Sequence, residues 1–324
     1  MKKIIGIGNA LTDILIQIDD DTILKQLNLQ KGSMQLIDAQ KMGEILHHLQ
    51  KFSAAMVTGG SASNAINGIA KLGGCAGFLG KTGNDNVGQF FENDMVANGV
   101  STHLLRSEIP SGRCHVMISP DSERTMATFL GAAANMRPED IHPEIFMNYD
   151  IFHVEGYLVQ NQELIHKAVA MAAEMGLIVS IDLASFNVVE ANLEFLHKIV
   201  KQYVNIVFAN EEEAFAFTHQ PPESAVELIA QMADIAIVKV GKDGSFIKSG
   251  KQRLKVQSVE ANAIDTTGAG DLYAAGFLFG FANDYELDVC GKIGALISAK
   301  IVEKIGAKLD ENTWKEIKER LNSC

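Results

Sequence analysis

The sequence predicts an α/β fold, with a mostly parallel sheet covered by helices and a small β-stranded lid. Strand-like and helical apolar patterns alternate along most of the chain. Two segments interrupt that alternation with short β-type runs, and a glycine-rich turn late in the chain runs directly into an apolar helix. Residues Ile4–Ile7 read as a buried strand. Residues 61–72 place Ala62, Ala65, Ile66, Ile69 and Ala70 at helical spacing, and Gly73 with Gly74 stops the helix. A strand follows at 75–79, then a strand at 151–154, a helix near 163–175, and strands beginning at Ile178, Asn205 and Ile235. Such an order calls for parallel strands with crossover helices.

The lid is expected as two segments, about 14–38 and 102–131, inserted into one domain spanning 1–324. Its β-type runs include CHVMI and RTMATF, joined by the turn-rich PDSE, and antiparallel pairing is expected. Strands inserted at the ends of a parallel sheet can cover the crevice where such sheets bind ligands.

Bulk properties exclude several function classes. A hydrophobic share of 47% with 21% charged residues describes a folded chain without long disordered stretches. The formal net charge of −12 repels polyanions, which argues against nucleic acid or an anionic membrane as partner. Cys75, Cys114, Cys290 and Cys324 form no CxxC pair, and no HExxH spacing occurs, so no structural zinc site is expected. The opening IIGIGNALTD lacks the pattern of a secretory signal, and the longest apolar run, 272–282, is too short to span a bilayer. A cytoplasmic protein is expected, as monomer or homodimer.

The most informative stretch is NAIDTTGAGDLYAAGFLFGFA. The amides of Gly268, Ala269 and Gly270 can approach phosphoryl oxygens, and the dipole of the helix behind them favours negative charge. Asp271, a carboxylate beside an anion site, suits a base that accepts a hydroxyl proton. Taken alone, GAGD fits a capped tight turn equally well. The GxxxxGK phosphate loop is absent, and GIGNAL lacks the third glycine of a dinucleotide fingerprint.

With these residues in place, the chain resembles the PfkB, or ribokinase-like, family of carbohydrate and nucleoside kinases. DTTGAGD matches its second signature; Gly80, Gly83, Asp85 and Gly88 match its GxxGxDxxG loop; Gly59, Gly60 and Asn64 match its GGxxxN. Asn210 and Glu213 match its NxxE, and VGKDGS resembles its nucleotide-side loop. The resemblance runs from Gly6 to about Gly306 and implies a three-layer α/β/α ribokinase-like fold. It implies ATP as phosphoryl donor with Asp271 as catalytic base, Gly268, Ala269 and Gly270 as the anion hole, and Arg124 as a lid arginine closing beside the γ-phosphate. It further implies that Asn9, Asp13, Gly60, Ser61 and Asn64 hold the acceptor. Gly241, Gly244 and Thr267 would meet the nucleotide, while Asn210 and Glu213 would organise Mg2+ through water. A monovalent cation such as K+ could sit by the carbonyls of Asp265 and Thr267.

GNALTDI, KGSMQLID, GGSASN and RTMATFLGAAANM look most like the adenosine-kinase branch, so the expected acceptor is a nucleoside. Met34, Leu36, Met126 and Tyr157 would form an apolar slot for its base. A sugar acceptor (ribose, fructose or a keto-sugar acid) is the alternative, with Asp182 or Ser185 at its hydroxyls. A catalytically idle ligand-binding relative is the second alternative. The presence of both Asp271 and the glycines favours an active enzyme.

Overall fold

The computed structural model describes residues 1–121 and 123–322, so Cys324, and Ser122 of the expected PDSE turn, lie outside the described residues. The strands are β1 (Ile4–Ile7), β2 (Leu11–Gln17), β3 (Met34–Leu36), β4 (Ala54–Gly59), β5 (Ala76–Gly83), β6 (Ser101–Ser107) and β7 (Gly112–Ile118). They continue as β8 (Arg124–Phe129), β9 (Ile151–Glu155), β10 (Ile178–Asp182), β11 (Ile206–Asn210), β12 (Ile235–Lys239), β13 (Ser245–Ser249) and β14 (Gln252–Val256).

The main sheet has the order β14-β13-β12-β11-β10-β9-β1-β5-β6. Its pairs are parallel from β12 to β6, and β13 and β14 add an antiparallel edge. Alternate side chains enter two separate cores. Val207 and Ala209 join one, whereas Ile206 and Phe208 join the other, so both faces of the sheet are covered. The three-layer expectation holds. From β1 the strand order runs outward in both directions, and ligands bind at the carboxyl ends of strands around such a switch point.

The helix Ala269–Ala282 forms because its apolar residues leave no polar face; Leu272, Tyr273, Phe277 and Leu278 are all buried. It packs against the helices Ser61–Lys71 and Leu287–Val302. Gly276 lets the latter approach closely, since a Cβ there would meet the Gly294 backbone at 2.8 Å.

The lid sheet has the order β3-β8-β7-β2-β4. Its pairing corrects the expected one: β7–β8 and β2–β4 are antiparallel, but β2–β7 and β3–β8 are parallel. Residues 102–107, expected in the lid, belong to β6 and pair with β5 in the main sheet. β6 is a half-buried edge strand, STHLLRS, without the continuous apolar run that marks the inner strands. The lid also recruits β4, which the expected boundaries omit. Ile14, Ile16, Met117 and Ala127 pack with Ile45 and Leu49 of the helix Ala39–Leu49 in a core of the lid's own. The strand period leaves Asp13, Leu15, Arg124 and Met126 on the opposite face.

Gly276→Ala is expected to destabilise the protein by about 1–3 kcal/mol, because the added methyl meets backbone that cannot rotate away. Urea unfolding measures this; an unchanged midpoint would show that the two helices separate freely.

Candidate active site

The turn before the helix Ala269–Ala282 is organised by Asp265. Its Oδ1 accepts the Thr267 N–H at 2.9 Å and the Thr267 hydroxyl at 2.6 Å, and its Oδ2 accepts the Gly306 N–H at 2.8 Å. Thr267, expected at the nucleotide, is therefore turned toward Asp265 and does not line the large cleft described below. Gly268 precedes the helix with φ +76, where a side chain would also meet Ala307.

The expected amide trio needs one correction. Ala269 donates its N–H to the Thr266 carbonyl at 3.1 Å. The amides of Gly268, Gly270 and Asp271 have no acceptor among the described residues, and they stand at the positive end of the helix dipole.

Asp271 is not the helix cap: that position is Gly268, and among the described residues no backbone N–H donates to the Asp271 carboxylate. The Ser61 hydroxyl donates to its Oδ1 at 2.6 Å and the Asn64 amide to its Oδ2 at 2.9 Å. Burial raises its pKa above the usual aspartate value; the Ser61 and Asn64 bonds oppose this, Asp182 adds to it and Lys239 counters it. Ser61 and Asn64, expected around the acceptor, thus orient the carboxylate itself. They can do so because Gly60 turns the chain with φ +92 into the helix Ser61–Lys71, where a Cβ would lie 2.4 Å from the Asn9 carbonyl.

Asn9 is likewise engaged. Its Nδ2 donates to Glu155 Oε1 at 2.6 Å, and Glu155 Oε2 accepts the Ala62 N–H at 3.0 Å. Burial pushes Glu155 up to about 7 against these donors. Asp13, on β2, accepts no hydrogen bond among the described residues; burial lifts it to about 6, with Arg124 and Lys308 pulling the other way. Arg124, on β8, donates through Nη1 to Asp265 Oδ2 at 2.6 Å and so fastens the lid to the 265–271 turn. This differs from the expected position beside a phosphate. Met126 follows two residues along, on the same lid face as Arg124.

Asp271 lines a cleft of about 1050 Å³ together with Asn210, Glu213, Gly241, Gly244, Gly268, Ala269 and Gly270. Asn210 and Glu213 form a reciprocal helix cap: the Glu213 N–H donates to Asn210 Oδ1 at 2.8 Å, and both Glu213 oxygens accept from Asn210. Burial raises the Glu213 pKa, the Asp182 charge reinforces the rise, and Lys239 opposes it. Asp182, considered for a sugar hydroxyl, instead accepts the Lys239 ammonium at 2.8 Å. Asp85, of the GxxGxDxxG match, caps the helix Asn86–Ala97 and receives Arg113 and Ser111 at the start of the lid strand β7.

Glu155, Lys239 and Lys308 are absent from the sequence reading. Glu155 and Lys239 sit at carboxyl ends of parallel strands, as Asp182 does, and a polar residue closing a buried strand is the signal that could have found them. Lys308 lies far down the chain with no such signal; only folding brings it near Asp13.

Residues 32–314 match the model of a family described as pfkB family carbohydrate kinase. The chain is similar to the adenosine kinase of Sinorhizobium meliloti, with 32% identity, a TM-score of 0.85, and coverage of 98% of this chain and 99% of that one. A probable sugar kinase from Rhizobium etli CFN 42 is 31% identical with a TM-score of 0.86, covering 98% of each chain. A nucleoside kinase from Methanocaldococcus jannaschii is 27% identical over 287 residues, 88% of this chain and 92% of that protein.

The raised pKa of Asp13 sets a pH dependence of stability. Below the unfolded value of 3.8 the group is neutral in both states and contributes nothing; between 3.8 and about 6 its ionisation increasingly disfavours the fold. Asp13→Asn is therefore expected to equal the native chain near pH 4 and to exceed its stability at pH 7.5 by about 1–3 kcal/mol, measured by urea unfolding. A difference independent of pH would show that Arg124 and Lys308 fully compensate the charge.

Proposed function

This chain belongs to the pfkB family of carbohydrate kinases, and from that premise we propose that it transfers the γ-phosphate of ATP to a hydroxyl of a nucleoside. A phosphotransferase acting on a hydroxyl needs a base and a pocket for migrating charge. The observation that carries the reading is the position of Asp271, which lines the large cleft at a helix N-terminus whose Gly268, Gly270 and Asp271 amides are unengaged among the described residues.

In this reading the acceptor hydroxyl gives its proton to Asp271 as its oxygen forms the new bond to phosphorus. The bond from phosphorus to the ADP oxygen breaks in line, and the amides of Gly268, Gly270 and Asp271 steady the charge on the phosphoryl oxygens. Ser61 and Asn64 hold the carboxylate in place for that step. Arg124 excludes water by tying the lid down through Asp265. The triphosphate follows the cleft from Gly270 past Lys239, and Val259, Ala295 and Ala299 offer apolar wall to the adenine. Mg2+, when bound, neutralises phosphate charge. No cluster of three or more possible ligand side chains occurs among the described residues, and both Glu213 oxygens are engaged, so the residues fit an ion carried by the phosphates and met through water by Glu213 and Asn210.

The lid face supports a nucleoside over a bare sugar. Asp13 can accept the protons of two neighbouring hydroxyls, and beside it the same face presents Leu15, Val57 and Met126, then Met34 and Leu36 on the outer strand. Met34 and Leu36 are 51% and 60% exposed, an apolar surface suited to a flat base and without use for a small polyol. Tyr157, the fourth residue of the expected base slot, lines the large cleft instead.

Asp271→Asn is expected to keep ATP affinity within severalfold while kcat falls at least about a hundredfold, because the base acts on chemistry more than on ground-state binding. Turnover that survives the change would remove Asp271 from its role. ADP formation with adenosine, inosine, ribose and fructose tests the acceptor. Nucleosides should give the highest kcat/KM, and a preference for ribose or fructose would replace the nucleoside with a sugar.

A further inference from the structure

Lys239 closes β12 with its side chain 14% exposed, and its ammonium has one hydrogen-bond partner among the described residues, Asp182 Oδ2 at 2.8 Å. A Cβ built on Gly270 would lie 3.1 Å from Lys239 Nζ, so the ammonium rests against the glycine whose amide is unengaged. Two of its three protons therefore remain for another acceptor. Asp182, Glu213 and Asp271 all act electrostatically on Lys239; burial works against its charge, and these carboxylates outweigh burial and keep it protonated. The same acids line the wall that would have to receive a triphosphate. Uncompensated, they would repel it.

We propose that Lys239 is a catalytic residue of the anion hole, donating two N–H groups to the non-bridging oxygens of the migrating phosphoryl group while Asp182 holds its ammonium in position. The proposal rests on the kinase reading above and adds a side-chain cation to the main-chain donors. Lys239 transfers no proton: the acceptor's proton still goes to Asp271 and the leaving electron pair to ADP. Its contribution is a fixed charge where negative charge develops, beside a protein dipole and away from bulk water. Asp182 acts through Lys239 and is a positioning residue. Arg124 does not fill this place, because its guanidinium is fastened to Asp265 on the lid side.

Steady-state kinetics of Lys239→Met, with whichever acceptor the native chain uses best, should show kcat reduced about 100- to 1000-fold, with KM for ATP changed less than about tenfold. Lys239→Arg should recover part of the loss. The double variant Lys239→Met/Asp182→Leu removes both charges of the pair, and thermal unfolding checks that it folds. It should remain as slow as Lys239→Met, whereas recovery of native turnover would show that the pair is structural only. In calorimetry the native chain should bind ADP with aluminium fluoride more tightly than ADP, and Lys239→Met should lose that difference. An undiminished difference overturns the proposal. If the native chain phosphorylates no acceptor, the kinase reading falls, and the fluoride measurement still decides whether Lys239 meets a phosphoryl group.

Discussion

Burial is unfavourable to the charge of a carboxylate, and the structure around Asp271 depends on how that cost is offset. Ser61 and Asn64 each take one of its oxygens, which fixes its direction and lowers the cost of its charge. Among the described residues the Gly268, Gly270 and Asp271 amides remain without partners beside it. The N-cap position is Gly268, which has no side chain to accept from those amides, and the N-terminus lines the cleft.

The parallel sheet supplies the rest of the site by geometry. β9, β10, β11 and β12 end at Glu155, Asp182, Asn210 and Lys239, which places these polar groups at one edge of an apolar core. Glu155 fixes Asn9 and the first turn of the helix carrying Ser61 and Asn64. Asp182 fixes Lys239. Groups that look separate along the chain thus form linked pairs, and burial shifts several of them well away from their ordinary titration.

The lid adds a second sheet with its own small core. The face of the lid opposite that core carries Asp13 and Arg124 together with the apolar Leu15, Val57 and Met126. Burial raises the pKa of Asp13, which accepts no hydrogen bond among the described residues. A ligand that offers hydroxyls to Asp13 and a flat apolar body to Met126, Met34 and Leu36 would relieve both exposures together.

The alternation of apolar runs was enough to set the parallel sheet and its helices, because side-chain period and burial are local properties of the chain. The glycine pattern at 265–271 likewise marked the turn into the helix, since backbone freedom and a missing side chain are written residue by residue. The β6 edge strand was not legible, because a half-buried edge resembles the lid strands in composition. Nor could the sequence distinguish an acceptor contact from a supporting one: Ser61, Asn64 and Asn9 turned out to hold Asp271 and Glu155, and Asp182 to hold Lys239. Those assignments are decided by which polar groups meet across distances of tens to hundreds of residues, and only burial in the folded chain forces each of them to find a partner.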